Sequence, residues 1–225
     1  MIEVVPAIIP KSHTHLSEQV EKVFTYVSRI QVDIMDGKYT PSTSWPYSDT
    51  DNSAFQKLVD SGEMLPHTDV VEYELDMMVE RPEEHIDEWI RAGFKTLIIH
   101  IESTEKLDEI IETAKEREIA IGLAFKPSTS LEGIKKYVDR VAFVQCMGND
   151  KIGYHGVSLD SAVLLKISQL RAMYRELIIS IDIGVTKETA QVLVDRGVSK
   201  LVSGSAIYGS EDIKTTIETF KHLSI

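Results

Sequence analysis

The regular alternation of short apolar runs with longer amphipathic segments is the feature that most constrains the fold of this chain. Strands that alternate with helices in this way lie parallel in one sheet, so the pattern predicts an α/β fold. The eight runs typical of strands lie at residues 2–9, 29–34, 70–77, 95–101, 119–125, 140–147, 177–183 and 200–205. A final helical segment follows the eighth run, at residues 211–223.

The segments between these runs have helical spacing. Residues 103–118 carry apolar side chains at intervals of three and four, and residues 160–174 repeat the pattern. Residues 186–197 begin with Thr186, a residue suited to capping a helix N-terminus, and end at Gly197. The spacing therefore predicts a helix after almost every strand.

Two architectures fit such alternation, a closed barrel and an open doubly wound sheet. Eight βα units in 225 residues favour a (β/α)8 TIM barrel. A Gly-x-Gly-x-x-Gly motif, which would favour a dinucleotide-binding open sheet, is absent after the first strand. No linker or compositional break interrupts the chain, so we expect a single domain over residues 1–225.

Composition limits the classes of partner and the compartment. The net charge of −12 argues against nucleic acid, although backbone amides could still bind a small phosphorylated substrate. The single cysteine, Cys146, excludes an internal disulfide and is more typical of a buried, inert thiol than of a nucleophile. No apolar run approaches the roughly 18 residues of a membrane span, and no signal peptide is evident. These observations predict a cytoplasmic protein without a membrane partner.

Several strands end in titratable side chains, and the C-terminal strand ends are where TIM barrels place their chemistry. Asp33 and Asp182 have apolar neighbours on both sides and precede glycine-containing turns, so we predict functional roles for both. His100 and Glu102, each taken alone, are more typical of solvated loop charges. The full set of titratable residues at strand ends is Asp33, Asp76, His100, Glu102, Lys126 and Asp182.

Glycine-rich loops follow strands 6, 7 and 8, and such loops can bind phosphate through backbone amides. Three of them on adjacent strands of one barrel predict a phosphate site better than any one alone. The candidate phosphate-binding residues are Gly153, His155, Gly156, Gly184, Gly204 and Ser205.

Several segments together resemble the ribulose-phosphate 3-epimerase family. These are "VDIMDGKYTPS", "DMMVERPEEHI", "GLAFKPSTSLE", "GYHG", "IDIGVTKETA" and "VSGSAIYG", which occur in the family's order over nearly the whole chain. The resemblance implies a TIM barrel of the ribulose-phosphate-binding type and an isomerase that acts on a pentulose phosphate.

The resemblance also implies roles for individual residues. The family inverts a carbon next to a ketone with two carboxylates, which correspond here to Asp33 and Asp182. A divalent metal, bound in the family by two histidines and these two aspartates, stabilises the enediolate. Met35 would line the substrate pocket and Lys126 would contact the substrate. Barrels of this kind often form homo-oligomers.

The chain departs from the family pattern at several positions that matter for chemistry. The metal-binding histidines of strands 2 and 3 are Gln31 and Asp76 here. The expected serine, asparagine and first strand-7 glycine are replaced by Ala7, Lys126 and Ile183 respectively.

Three interpretations follow. In the first, which we rank highest, the enzyme epimerises a sugar phosphate around a metal held by Gln31, Asp33, Asp76 and Asp182, and these oxygen ligands favour Mg²⁺ or Mn²⁺ over Zn²⁺. In the second, Lys126 supports metal-independent enediolate chemistry or forms a Schiff base, as in an aldolase. In the third, the barrel binds a phosphorylated ligand without catalysis.

Overall fold

A computed structural model describes residues 2–48, 53–61, 65–154 and 156–224. Its eight strands are parallel neighbours in chain order, and the last pairs with the first, so the sheet closes into a barrel. The predicted (β/α)8 barrel is confirmed, with strand ends within three residues of the predicted bounds. The strands are β1 (Glu3–Ile8), β2 (Arg29–Met35), β3 (Glu72–Met78), β4 (Thr96–His100), β5 (Ala120–Phe125), β6 (Phe143–Met147), β7 (Ile179–Asp182) and β8 (Lys200–Ser203).

Helices follow the strands as the sequence spacing predicts, and most are shorter than the predicted segments. Within the described residues they are α1 (His13–Glu21), α2 (Ser53–Ser61), α3 (Ile86–Arg91), α4 (Leu107–Glu116), α5 (Leu131–Lys135), α6 (Ala162–Met173), α7 (Ala190–Asp195), α8 (Ser205–Tyr208) and α9 (Ile213–Lys221). Thr186 lies before α7, where its Oγ1 accepts hydrogen bonds of 3.3 Å from the backbone amides of Glu188 and Thr189. The N-cap residue of α7 is Thr189 rather than Thr186, so Thr186 bonds to the turn before the helix and does not cap the helix itself.

Helices α3, α4 and α7 end with the same pair of backbone hydrogen bonds, a Schellman motif. The motif needs a residue with positive φ after the cap, and the angles are 98° at Gly93, 57° at Glu118 and 107° at Gly197. Glycine adopts this conformation without strain, whereas Glu118 carries a Cβ that disfavours it. Helix α4 is thus the one of these three whose ending is strained.

The chain divides into two compact units, Ala7–Ile121 and the combination of Met1–Pro6 with Gly122–Ile225. In the first unit an aromatic cluster packs between α2 and α3, with Phe55 and Trp89 ring centroids 4.5 Å apart. In the second unit Lys200 is buried, and its Nζ lies 3.8 Å from the centroid of the Phe143 ring. The expectation of a single domain stays a prediction.

None of the helices in the described part of the chain is both long enough and apolar enough to cross a membrane.

Candidate functional site

Asp33 lies near the C-terminal end of β2 and is 5% exposed. Its Oδ1 accepts a hydrogen bond of 2.8 Å from Nε2 of Gln31, a fully buried residue two positions earlier on the same face of the strand. In the parallel pairing of β2 with β3, Asp33 lies opposite Asp76. The strand register therefore places two predicted site carboxylates side by side.

Asp76 and His100 form a buried pair between neighbouring strands. Nε2 of His100, at the end of β4, lies 2.9 Å from Oδ1 of Asp76, and both side chains are completely excluded from solvent. The expectation that His100 is a solvated loop charge is wrong, because the residue lies inside the barrel wall. His100 has an apolar residue on each side, as Asp33 does, and this signal could have identified it from sequence.

Tyr39 and Glu102 lie beside this pair. The Tyr39 hydroxyl donates a 3.0 Å hydrogen bond to Oε2 of Glu102, and the Tyr39 ring centroid lies 5.3 Å from that of His100. Burial, followed by the negative charge and hydrogen bond of Glu102, raises the pKa of Tyr39. Tyr39 is therefore a neutral donor throughout the pH range in which a protein is normally studied. The sequence did not single out Tyr39.

The loop after β2 is fixed to the end of that strand by polar contacts. The Met35 amide donates to Oγ of Ser44 over 3.0 Å, and the Ser44 amide donates to the Met35 carbonyl over 3.1 Å. The Asp36 carboxylate accepts three backbone amides, from Lys38, Tyr39 and Glu80. Met35 is buried beneath this loop, and its predicted contact with substrate stays a prediction.

Asp182 ends β7 and is 8% exposed. Its Oδ1 accepts a 2.7 Å hydrogen bond from the amide of Ile183, and its carbonyl accepts one of 2.6 Å from the amide of Gly148. Ile183 has a φ of 76°, a left-handed conformation that β-branched residues rarely adopt. The residue that replaces the expected glycine therefore keeps a glycine-like backbone, at a cost in strain.

Gly184 is held where a larger residue would not fit. Its φ is 77°, and a Cβ at this position would lie 2.7 Å from the backbone of Leu159. Oγ1 of Thr189 donates a 2.6 Å hydrogen bond to its carbonyl. The loop after β7 is thus fixed by close backbone packing at Gly184 and by the hydrogen bond from Thr189.

The other predicted phosphate-binding residues have varied environments. Gly153 is buried and Gly156 is exposed, and both have positive φ, whereas His155 lies outside the described residues. Gly204 precedes α8, and Ser205 is its exposed first residue. Their role in phosphate binding stays a prediction.

Two further residues bear on the alternative chemistries. Lys126 directly follows β5 and is half-buried, and its contact with substrate stays a prediction. Cys146 is completely buried in β6, and this burial raises the pKa of its thiol. A neutral, inaccessible thiol does not act as a nucleophile, which agrees with the inert role expected for Cys146.

Three buried carboxylates come together in the structure. One carboxylate oxygen from each of Asp33, Asp76 and Asp182 lies within 4.8 Å of the others. An all-oxygen donor set of this kind, with the amide of Gln31 bonded to Asp33, fits a hard divalent cation. We name these three residues the aspartate cluster.

The fold and the aspartate cluster place the chain among the (β/α)8 barrels with polar residues at the strand ends. A crystal structure of 3-hexulose-6-phosphate synthase superposes with a TM-score of 0.70 over 100% of both chains, and its 16% identity shows a shared fold alone. The chain belongs to the ribulose-phosphate 3 epimerase family, whose family model matches residues 3–208.

Curated relatives agree with this assignment and confirm the resemblance noted from sequence. The ribulose-phosphate 3-epimerase of Bacillus subtilis is 29% identical, with 98% of this chain and 99% of the relative covered. The chloroplastic ribulose-5-phosphate-3-epimerase of Arabidopsis thaliana is 31% identical, with 98% and 76% covered. The family is thus one of isomerases.

Proposed function

We propose that this protein epimerises a ketose phosphate at the carbon next to its carbonyl group, with Asp33 and Asp182 as the two acid/base residues. The observation that carries the proposal is the aspartate cluster, since both residues contribute an oxygen to a group only 4.8 Å across. A barrel that only binds a phosphorylated ligand has no chemical use for two such carboxylates. Family membership supports the same reaction class.

In the proposed reaction one aspartate removes the proton from the carbon and leaves an enediolate. The other aspartate returns a proton to the opposite face, which inverts the configuration. Each carboxylate accepts a hydrogen bond that restricts its rotation, from Gln31 to Asp33 and from Ile183 to Asp182. Such restriction favours proton transfer from a fixed geometry.

The aspartate cluster fits a divalent cation. At an effective dielectric constant of about 20, two unit negative charges about 5 Å apart repel by roughly 3 kcal/mol, and a cation among them would offset this repulsion. Asp33, Asp76 and Asp182 would hold the ion, with Gln31 as a further oxygen donor. A bound cation supplies Lewis-acid stabilisation of the enediolate charge. Oxygen ligands favour Mg²⁺ or Mn²⁺ over Zn²⁺.

The loops after β6, β7 and β8 would bind the phosphate group. Their backbone conformation supports this role, because positive φ at Gly153, Gly156 and Gly184 turns amide groups in directions that a regular strand does not allow. Gly204 and Ser205 lie at the start of α8, where amides are free of intrahelical bonds. A small phosphorylated sugar is therefore the proposed substrate. The assembly of the chain into a homo-oligomer stays a prediction.

Hydrogen–deuterium exchange of a panel of ketose phosphates in D₂O tests the proposal, with Mg²⁺, Mn²⁺, Zn²⁺ or chelator present. We expect deuterium at the carbon next to the carbonyl of at least one pentulose phosphate. Asp33→Asn and Asp182→Asn should each slow this exchange by roughly 100-fold or more, since each removes one acid/base group.

Asp195→Asn serves as the control, because Asp195 is an exposed α7 carboxylate whose partner is Gln191. Its exchange rate should equal that of the wild type. Undiminished exchange in both Asp33→Asn and Asp182→Asn would refute the two-acid mechanism. An adduct at Lys126 after borohydride reduction would then support imine chemistry instead.

A further inference from the structure

The buried pair of Asp76 and His100 is not explained by proton transfer at the substrate. Both side chains are completely excluded from solvent, and a single hydrogen bond of 2.9 Å joins Nε2 of His100 to Oδ1 of Asp76. Asp76 in turn contributes an oxygen to the aspartate cluster. His100 therefore contacts the cluster through Asp76.

The ring and the backbone of His100 each have a neighbouring contact. The Tyr39 ring lies 5.3 Å away at an interplanar angle of 55°, and Oγ of Ser103 donates a 2.8 Å hydrogen bond to the His100 carbonyl. Among the described residues Nδ1 has no hydrogen-bond partner, and Oε2 of Glu102 lies 4.0 Å from it. The polar contact that orients the ring is thus the one with Asp76.

We propose that His100 is a positioning residue, which donates a hydrogen bond to Oδ1 of Asp76 and so fixes the orientation of that carboxylate in the aspartate cluster. The inference rests on the proposed metal site. A carboxylate surrounded by like charges turns away from them unless a donor holds it. His100 supplies that donor from the neighbouring strand.

The need for such a residue follows from the replacement at position 76. A carboxylate can bind a cation through one oxygen or through both, whereas a histidine nitrogen offers a single ligand atom. The hydrogen bond from His100 occupies one Asp76 oxygen and therefore favours binding through a single oxygen. Partners that orient a metal ligand in this way typically account for a 10–100-fold change in metal affinity.

Two variants of similar size separate positioning from packing. His100→Gln retains an amide donor near the position of Nε2, whereas His100→Met fills the space without a donor. Titration calorimetry with Mn²⁺ as the probe should show at least a tenfold weaker Kd for His100→Met than for His100→Gln. His100→Gln should lie within about threefold of the wild type.

Tyr73→Phe is the matched control, because it also removes a side-chain hydrogen bond of β3, the partly buried 2.6 Å bond from the Tyr73 hydroxyl to the Pro66 carbonyl. It should lower the melting temperature and leave the Mn²⁺ Kd unchanged. Equal Mn²⁺ affinity in His100→Gln and His100→Met would overturn the positioning role. Failure of the wild type to bind Mn²⁺ would instead overturn the proposed metal site, so the two failures are distinguishable.

Discussion

The strand ends of β2–β4 and the loops after β6–β8 specify their structures by different means. At β2–β4 the polar groups are side chains, and Asp33, Asp76 and His100 are buried and hydrogen-bonded through their side-chain atoms. After β6–β8 close packing around glycine backbones restricts the geometry, together with side-chain hydrogen bonds such as that from Thr189 Oγ1 to the Gly184 carbonyl. A Cβ on Gly148 would lie 2.0 Å from the Ile183 carbonyl oxygen, and one on Gly184 would lie 2.7 Å from Leu159.

This difference teaches which substitutions each region tolerates. A side chain at the end of a strand can be exchanged for another of similar size while the strand keeps its register, so the chemistry changes and the fold does not. A crowded loop glycine cannot be exchanged without moving the backbone. This chain follows that rule. Gln31 and Asp76 replace the expected histidines at the strand ends, whereas the crowded loop glycine, Gly184, is retained.

The largest expected loss of stability comes from a substitution in the loops after β6–β8. Gly184→Ala combines positive φ with a clash against Leu159, and we expect a loss of about 3 kcal/mol in the free energy of unfolding. Gly156→Ala is the matched variant, since Gly156 has a φ of 71° with no atom within 4 Å of the added Cβ. It should lose only about 1 kcal/mol. Equal losses in urea denaturation would show that crowding is irrelevant.

Substitutions at the polar strand ends of β2–β4 should change the affinity for a metal ion rather than the stability of the fold. Asp76→Asn keeps an oxygen that can accept the His100 hydrogen bond and removes one negative charge from the aspartate cluster. We expect at least a tenfold weaker Mn²⁺ Kd, about 1.4 kcal/mol, by titration calorimetry. In chelator the same variant should be at least as stable as the wild type, because two like charges remain instead of three. A large loss of stability in chelator would contradict the view that side chains at these strand ends can be exchanged without affecting the fold.

Ile183 is the residue that does not fit its region, and Ile183→Gly should stabilise the protein. The left-handed conformation of a β-branched residue costs of order 1–3 kcal/mol, and the extra flexibility of unfolded glycine offsets roughly 0.5–1 kcal/mol of the gain. We expect a net increase of about 1 kcal/mol in the free energy of unfolding, measured in guanidinium chloride. A decrease would mean that side-chain contacts of Ile183 outweigh the backbone strain.

The smallest effect is expected at Glu118, which has a φ of 57° after α4. Glu118→Gly completes the glycine form of the Schellman motif already present at Gly93 and Gly197, and it should add about 0.5 kcal/mol of stability. Thermal denaturation with a matched Glu112→Gly variant, at an exposed position in the middle of α4, provides the contrast. That control should be destabilised by about 1 kcal/mol.

Much of this structure could be predicted from sequence because the relevant signals are local. Periodicity identified the eight strands and most of the helices, and flanking apolar residues identified Asp33 and Asp182 as buried strand-end acids. The interpretation of His100 as a solvated loop charge, made from that residue alone, was wrong. The burial of His100 depends on Asp76, which lies 24 positions earlier and is adjacent only because β3 pairs with β4.

The sequence by itself determined the order of strands and helices, the glycine loops and the residue types at the strand ends, because these follow from spacing and conformational preference. Only the tertiary structure decided which side chains meet: Asp33 beside Asp76, Asp76 with His100, and three carboxylate oxygens within 4.8 Å. The physical reason is that strand register and barrel closure bring together residues separated by up to 149 positions, from Asp33 to Asp182. No local pattern encodes distances of that kind.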